Sequence, residues 1–263
     1  MLAPPGMALA RTGSVLVDEA GETIVIVAQG DDKFNLENNP AWRKVYRHPP
    51  EQIDTKDIVG NLYRRTRAAD GGAWDGWYFS ASRGSKNLTM MVSYAGNSPE
   101  AFSRLRDSIL TLTWDESTLD PELAMGVRMA VPGLQVVRDT FGALYYNETG
   151  QFGAPGPALI VQALPLSSYK ASQIFPSGCE KILGTVFPAN AMSGPNQAQN
   201  GSVRFCESWS KTVAPEMRYM ALVRLPNGGI ITVMGSATSV KFDEMLPKFR
   251  VAVRDLQPIK GRQ

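Results

Sequence analysis

Leu88-Thr89-Met90-Met91-Val92-Ser93-Tyr94, followed by Ser98-Pro99-Glu100-Ala101-Phe102-Ser103-Arg104-Leu105-Arg106-Asp107-Ser108-Ile109, is the stretch on which the fold turns. The first seven residues are apolar, β-branched or aromatic and read as a strand. In the second run, Ser98 is placed to accept an orphan amide. Pro99 suits the first helical position, and Glu100 faces the positive end of the helix dipole. Phe102, Leu105, Ile109 and Leu112 then recur at helical spacing and mark one buried stripe. Upstream, Trp77-Tyr78-Phe79 lies in a strand over 74–82. Arg83-Gly84-Ser85-Lys86 turns it into a second strand over 87–95, which completes a hairpin.

The same order of elements returns near the end of the chain. Phe242 stands 140 residues after Phe102. At that offset Met90 matches Ile230, Met91 matches Ile231, Val92 matches Thr232, Leu105 matches Met245, Ile109 matches Phe249 and Thr113 matches Val253. Gly84 and Gly228 both fall in hairpin turns, though not at one offset. This is the pattern of an internal duplication, with a polar linker near residue 120. Pro247 conflicts with the second helix, because it removes a backbone donor. The expectation is a helix that starts late, near Asp243 or Glu244, with Pro247 in its first turn; a helix kinked at Pro247 is the alternative.

Each half resembles the PsbP-like fold, shared by the PsbP, Ran-binding Mog, DcrB and Eag proteins. The residues that carry the resemblance are Leu88–Tyr94 with Phe102–Ile109, and Ile230–Met234 with Phe242–Leu256. It implies an α+β protein of two domains, residues 1–118 and 119–263. Each would be an antiparallel sheet with helices packed on its faces, an α/β/α sandwich. Members of that group act mostly by binding proteins, and a few bind metal. The matching positions are core positions, so the resemblance transfers no functional residue.

Outward from these anchors, Val15-Leu16-Val17 and Thr23–Val27 read as a hairpin across Glu19-Ala20-Gly21. Residues 54–67 read as a helix, with Ile58, Val59, Leu62 and Tyr63 on one face. Strands are expected near 134–138, 143–147, 158–164, 202–209, 217–225 and 229–235. Helical pieces are expected over 168–187, broken at Pro176-Ser177-Gly178. Residues 188–201, rich in Pro, Gly, Asn and Gln, read as an exposed loop.

The net charge of +2, from 27 basic and 25 acidic side chains, lacks the basic excess of a nucleic-acid binder. No apolar run is long enough to span a bilayer. The start, Met1-Leu2-Ala3-Pro4-Pro5-Gly6, reads as the mature end left by a removed export signal, which points to a periplasmic or secreted protein. Cys179 and Cys206 share no metal or redox spacing. In an oxidising compartment they are expected to form a disulfide, with free thiols the alternative.

Motifs for catalysis are few. His48 is the sole histidine, beside Pro49-Pro50, so triads and histidine bases have one residue to draw on. Zinc ligands are too few, and no calcium loop, Walker loop or nucleophile elbow occurs. The S-x-x-K spacing at Ser167–Lys170 and Ser208–Lys211 is what chance supplies, and Asp31-Asp32 and Asp243-Glu244 read as surface carboxylates. The reading is therefore a non-enzymatic protein-binding module without cofactor or metal, of the immunity or chaperone-like kind for a secreted toxin or effector. A small-molecule or lipid carrier and a carboxylate-based hydrolase are the alternatives. The aromatic strand, with Trp74, Trp77 and Tyr78, and the polar segment, with Asn190, Asn196 and Gln199, are the candidate partner-binding residues.

Overall fold

Alternation of apolar side chains at a period of two runs through both halves of the chain. The computed structural model accordingly forms two seven-stranded sheets in which every pairing is antiparallel. The structure describes residues 7–9, 15–18, 23–31, 49–64, 74–84, 86–95, 99–113, 120–137, 143–151, 153–164, 175, 178–187, 192–210 and 216–259. They fall into two compact units that part between residues 118 and 119.

The first unit contains β1 (Met7–Leu9), β2 (Val15–Asp18), β3 (Thr23–Asp31), β4 (Glu51–Asp54), β5 (Val59–Arg64), β6 (Trp74–Arg83) and β7 (Lys86–Ala95), then helix α1 (Pro99–Ile109). Its sheet runs β1-β2-β3-β7-β6-β5-β4. One face buries Ile53, Leu62, Trp77, Phe79, Met90 and Val92 against Ile109 and Leu112.

The expected helix over 54–67 is instead the hairpin β4–β5. Thr55 closes its turn, since its hydroxyl accepts from the Ile58 amide at 3.0 Å and donates to the Ile58 carbonyl at 3.1 Å. Gly60 shows why the strand wins: a Cβ there would stand 2.7 Å from the Phe79 ring. Ile58/Leu62 and Val59/Tyr63 share a helical face by coincidence of spacing. In the strand, Gly60 and Leu62 face the core and Val59 faces solvent.

The second unit contains α2 (Pro121–Met125), β8 (Val127–Arg128), β9 (Gln135–Val137), β10 (Ala143–Asn147), β11 (Ala158–Ala163), α3 (Cys179–Val186), β12 (Met192–Asn200), β13 (Val203–Ser210), β14 (Glu216–Arg224), β15 (Ile230–Thr238), α4 (Ser239–Arg254) and β16 (Gln257–Pro258). Its main sheet runs β9-β10-β11-β15-β14-β13-β12, which is the order of the first sheet strand for strand. Asp120 caps α2 by accepting from the Glu122 amide at 2.9 Å. Phe205, Tyr219, Ala221, Val223, Ile231 and Val233 pack with Phe242, Met245, Phe249 and Val253 of α4. Cys206, Met220, Leu222 and Ile230 point to the other face and pack with Cys179 and Leu183 of α3. Helix α4 lies close to the sheet because Gly235 lacks a side chain; a Cβ there would stand 2.6 Å from the Phe249 ring.

Three expectations change here. The segment 188–201 is not a loop throughout, because residues 192–200 form β12, an edge strand paired with β13. Polar composition misled the reading, since an edge strand needs no apolar face. Helix α4 begins at Ser239, not near Asp243, and carries Pro247 inside it. The uniform 140-residue offset also fails in the strands. Met90 packs with Ile109, whereas Ile230 packs with Cys179 on the α3 side of its sheet. An odd offset restores matching faces: Met90 and Val233, 143 residues apart, both face the helix that follows their strand. The helices keep 140. The difference is residues 96–98, which separate β7 from α1, while α4 follows β15 directly.

Candidate recognition surface

Strand β13 explains the chemistry of the second unit. Period-two alternation sends Val203, Phe205, Glu207 and Trp209 towards α4, and Arg204, Cys206, Ser208 and Ser210 to the other face. On the α3 side, Cys206 is disulfide-bonded to Cys179, the first residue of α3, with Cα atoms 6.5 Å apart. Both residues are fully buried, so the bond fastens α3 to the sheet.

On the α4 side a carboxylate occupies a core position. Glu207 is 1% exposed. Its Oε2 accepts from the Tyr219 hydroxyl at 2.8 Å, and its Oε1 accepts from Arg250 at 2.8 Å from Nε and 2.7 Å from Nη2. Arg254 Nη2 stands 3.7 Å from the same oxygen. Burial, and then the Glu207 charge, hold the Tyr219 phenol well above its ordinary value of 10.0, while Arg250 and Arg254 act in the opposite direction. Both Glu207 oxygens are engaged, so this carboxylate positions Arg250. The Arg250 guanidinium lies 4.9 Å from the centre of the partly exposed Trp209 ring.

The β12–β13 end of the sheet is basic. Arg204 and Arg224 are directly opposed on β13 and β14, and among the described residues neither has an acidic partner. Asn200 Nδ2 donates to the Arg254 carbonyl, which ties the last residue of β12 to the end of α4. Arg254 is about half exposed, with 49% of its side-chain surface open.

A second buried tyrosine repeats the carboxylate motif beneath α2. Tyr146 donates to Glu122 at 3.3 Å, and Arg128 donates to the other oxygen at 3.3 Å. Burial, then Glu122, raise the Tyr146 phenol.

The expected site residues separate. Trp77 and Tyr78 are 7% and 2% exposed. Trp77 faces α1 beside Phe79, with Arg64 5.5 Å above its ring. Tyr78 faces the other way, 6.1 Å from the Tyr63 ring. Strand alternation therefore holds as expected, and both side chains lie in the packed interior. Trp74 opens β6. Asn196 and Gln199 are exposed on β12, while Asn190 and His48 lie outside the described residues. Asp243 and Glu244 are exposed on α4. Among the described residues, no group of three or more His, Cys, Asp or Glu side chains is placed to hold a metal, and no helix is long and apolar enough to cross a membrane.

Sequence reasoning missed Glu207, Arg250 and the Arg204–Arg224 pair. One signal was available: Phe205-x-Glu207-x-Trp209 puts a charge at an inward position of an otherwise apolar alternation.

No protein-family profile matches the chain, and no curated protein matches it at a significant level. Among solved structures, a candidate thioesterase II from Thermobifida fusca is 9% identical with a TM-score of 0.18, and the match covers 89% of this chain and 99% of that one. A candidate oleoyl thioesterase from Lactobacillus plantarum is 10% identical with a TM-score of 0.18, covering 82% and 76%. Scores at this level indicate neither a shared fold nor a shared activity.

Proposed function

We propose that the protein is an exported, non-catalytic binding module, of the immunity or chaperone-like kind, built from two related PsbP-like α/β/α units. It takes the acidic surface of another protein at the basic end of the second unit. The disulfide supports the exported setting, because such bonds persist in oxidising compartments. The observation that carries the binding reading is the opposed pair Arg204 and Arg224. Like charges directly across a strand pair cost stability in the free chain, and an anionic partner turns that cost into affinity. Arg250 and the half-exposed Arg254 lie on the α4 face of the sheet, opposite the face that carries Arg204, and stand outside this surface.

A photo-crosslinking residue at position 202, exposed and two residues before Arg204, tests this in the producing cell. The expected result is one dominant adduct with an acidic protein, lost in the Arg204→Glu/Arg224→Glu variant and weakened by salt. No adduct, or one indifferent to charge reversal and salt, overturns the reading. Recovery of the mature chain from the cytosolic fraction with two titratable thiols overturns the exported setting.

A further inference from the structure

β12 is the outermost of the described strands in its sheet. Its register on β13 breaks between Ser193 and Asn196, and Pro195 lies within the break. From Asn196 to Asn200 the pairing is regular, and the two-residue turn Gly201–Ser202 ends it. The regular window is therefore Asn196-Gln197-Ala198-Gln199-Asn200, exposed at every residue. Bulges, prolines and charges guard edge strands against pairing. Here the bulge and Pro195 guard only the first part, and the window carries no charge.

The window reads the same in both directions. Antiparallel pairing with a second copy, about a two-fold axis at Ala198, sets Asn196 opposite Asn200, Gln197 opposite Gln199 and Ala198 opposite its own mate. Asn then faces Asn, Gln faces Gln and Ala faces Ala across the axis, while Asn200 and Gln199 keep donating to the Arg254 and Gly201 carbonyls.

The backbone phase fits the same axis. The turn makes Asn200 and Val203 a hydrogen-bonded pair. Alternation then makes Ala198 and Phe205 hydrogen-bonded to each other, so Ala198 is a non-hydrogen-bonded position on the outer side. Facing Cα atoms at such a position approach to about 4.5 Å, and the window places its smallest side chain there. The bulge and the turn bound the pairing at both ends.

We infer that a second copy of this chain pairs with β12 about Ala198 and joins the two sheets edge to edge in a symmetric dimer. The pairing is independent of the acidic partner, because Arg204 lies opposite Gln199 on the inner side of the strand.

Cysteine scanning of full-length protein with its native disulfide intact tests the register. Ala198→Cys places two thiols within disulfide reach across the axis, whereas Gln199→Cys meets Gln197. Under mild oxidation, the covalent dimer is expected to form at least about tenfold faster from the first variant than from the second. A mixture of Gln197→Cys and Gln199→Cys chains is expected to cross-link to each other. By sedimentation equilibrium, Ala198→Lys should weaken self-association about tenfold, and mixing it with Ala198→Glu should restore it. Thermal melts check that each variant folds. Equal or faster cross-linking at 199 overturns the register. A chain that stays monomeric at millimolar concentration, with no Ala198→Cys dimer, overturns the pairing, as does occupation of the edge by a different protein.

Discussion

The two sheets share one strand order but fill the same row in opposite ways. In the first unit Leu62, Phe79 and Met90 stand side by side across β5, β6 and β7. In the second, Glu207, Ala221 and Val233 occupy that row across β13, β14 and β15. One row further on, Arg64, Trp77 and Val92 correspond to Trp209, Tyr219 and Gly235. An arginine stacks on a tryptophan in both units, but the first draws its arginine from the sheet and the second from α4. An apolar row tolerates loss of one member in proportion to the volume removed. A row built on a buried carboxylate depends on every donor being present, because an unpaired buried charge is costly. The two units should therefore respond differently to matched substitutions.

The disulfide is the largest asymmetry. It closes a loop that spans a sequence separation of 27 residues and fastens α3 to the second sheet alone. Replacing both cysteines by Ala is expected to lower the stability of the second unit by about 3–4 kcal/mol and leave the first unchanged. Hydrogen exchange resolved by unit would show it; equal loss of protection in both units would break the comparison.

Next in size is the buried carboxylate. Arg250→Ala should cost about 3 kcal/mol, because it leaves the buried Glu207 carboxyl without its two donors from Arg250. Glu207→Leu, which copies the first unit, should cost less. Combined with Arg250→Ala it should recover most of the loss. Denaturant melts of the two single variants and the double variant form the cycle, and simple additivity would count against a coupled network.

Tyr219→Phe is expected to cost about 1 kcal/mol at neutral pH and to flatten part of an alkaline decline. The sign follows from the raised phenol. The unfolded chain ionises near 10.0 while the folded chain holds the proton, so this stabilisation is complete below pH 10 and is lost as pH rises further. Tyr146 is raised in the same direction, so the variant should remove only its own share. Chemical melts from pH 8 to 11 measure it, and a curve identical to the parent's would show that Tyr219 is not the titrating group.

The sequence made the elements with strong apolar alternation legible: the hairpins at 15–31, 74–95 and 216–238 and the two helices after β7 and β15 all have the type expected of them. It misled where spacing was ambiguous or polar. Residues 58–63 satisfy both a helical face and a strand, and only Gly60 lying against Phe79 decides between them. The stretch 192–200 has only Met192 and Ala198 as apolar side chains, because an edge strand is largely open to water. The surface chemistry was harder still. Glu207 and Arg250 are 43 residues apart and meet only because α4 folds back across β13. Arg204 and Arg224 become neighbours only through strand register. Trp77 and Phe79 of β6 stood out by composition, yet they pack against α1.

The smallest expected effect bears most directly on function. Arg204 and Arg224 are opposed on the second sheet, whereas Val59 and Ser82, at the corresponding positions of the first, carry no charge. Like charges opposed across a strand pair cost a few tenths of a kcal/mol, and opposite charges return a similar amount. Arg204→Glu should therefore raise the stability of the free protein by about 0.5–1 kcal/mol, more at low salt than at high. The same change should weaken the hold on an acidic partner, because it puts a negative charge where that partner brings one. Most substitutions that abolish binding leave stability unchanged or lower it, so a gain in melting temperature coupled to loss of binding is a distinctive outcome. Arg224→Ala should give the stability gain at about half the size, and Ser82→Arg in the first unit should do neither. If Arg204→Glu is neutral or destabilising at low salt, the two guanidinium groups do not repel across the strand pair. The basic end of the second unit then loses the feature that sets it apart from the first.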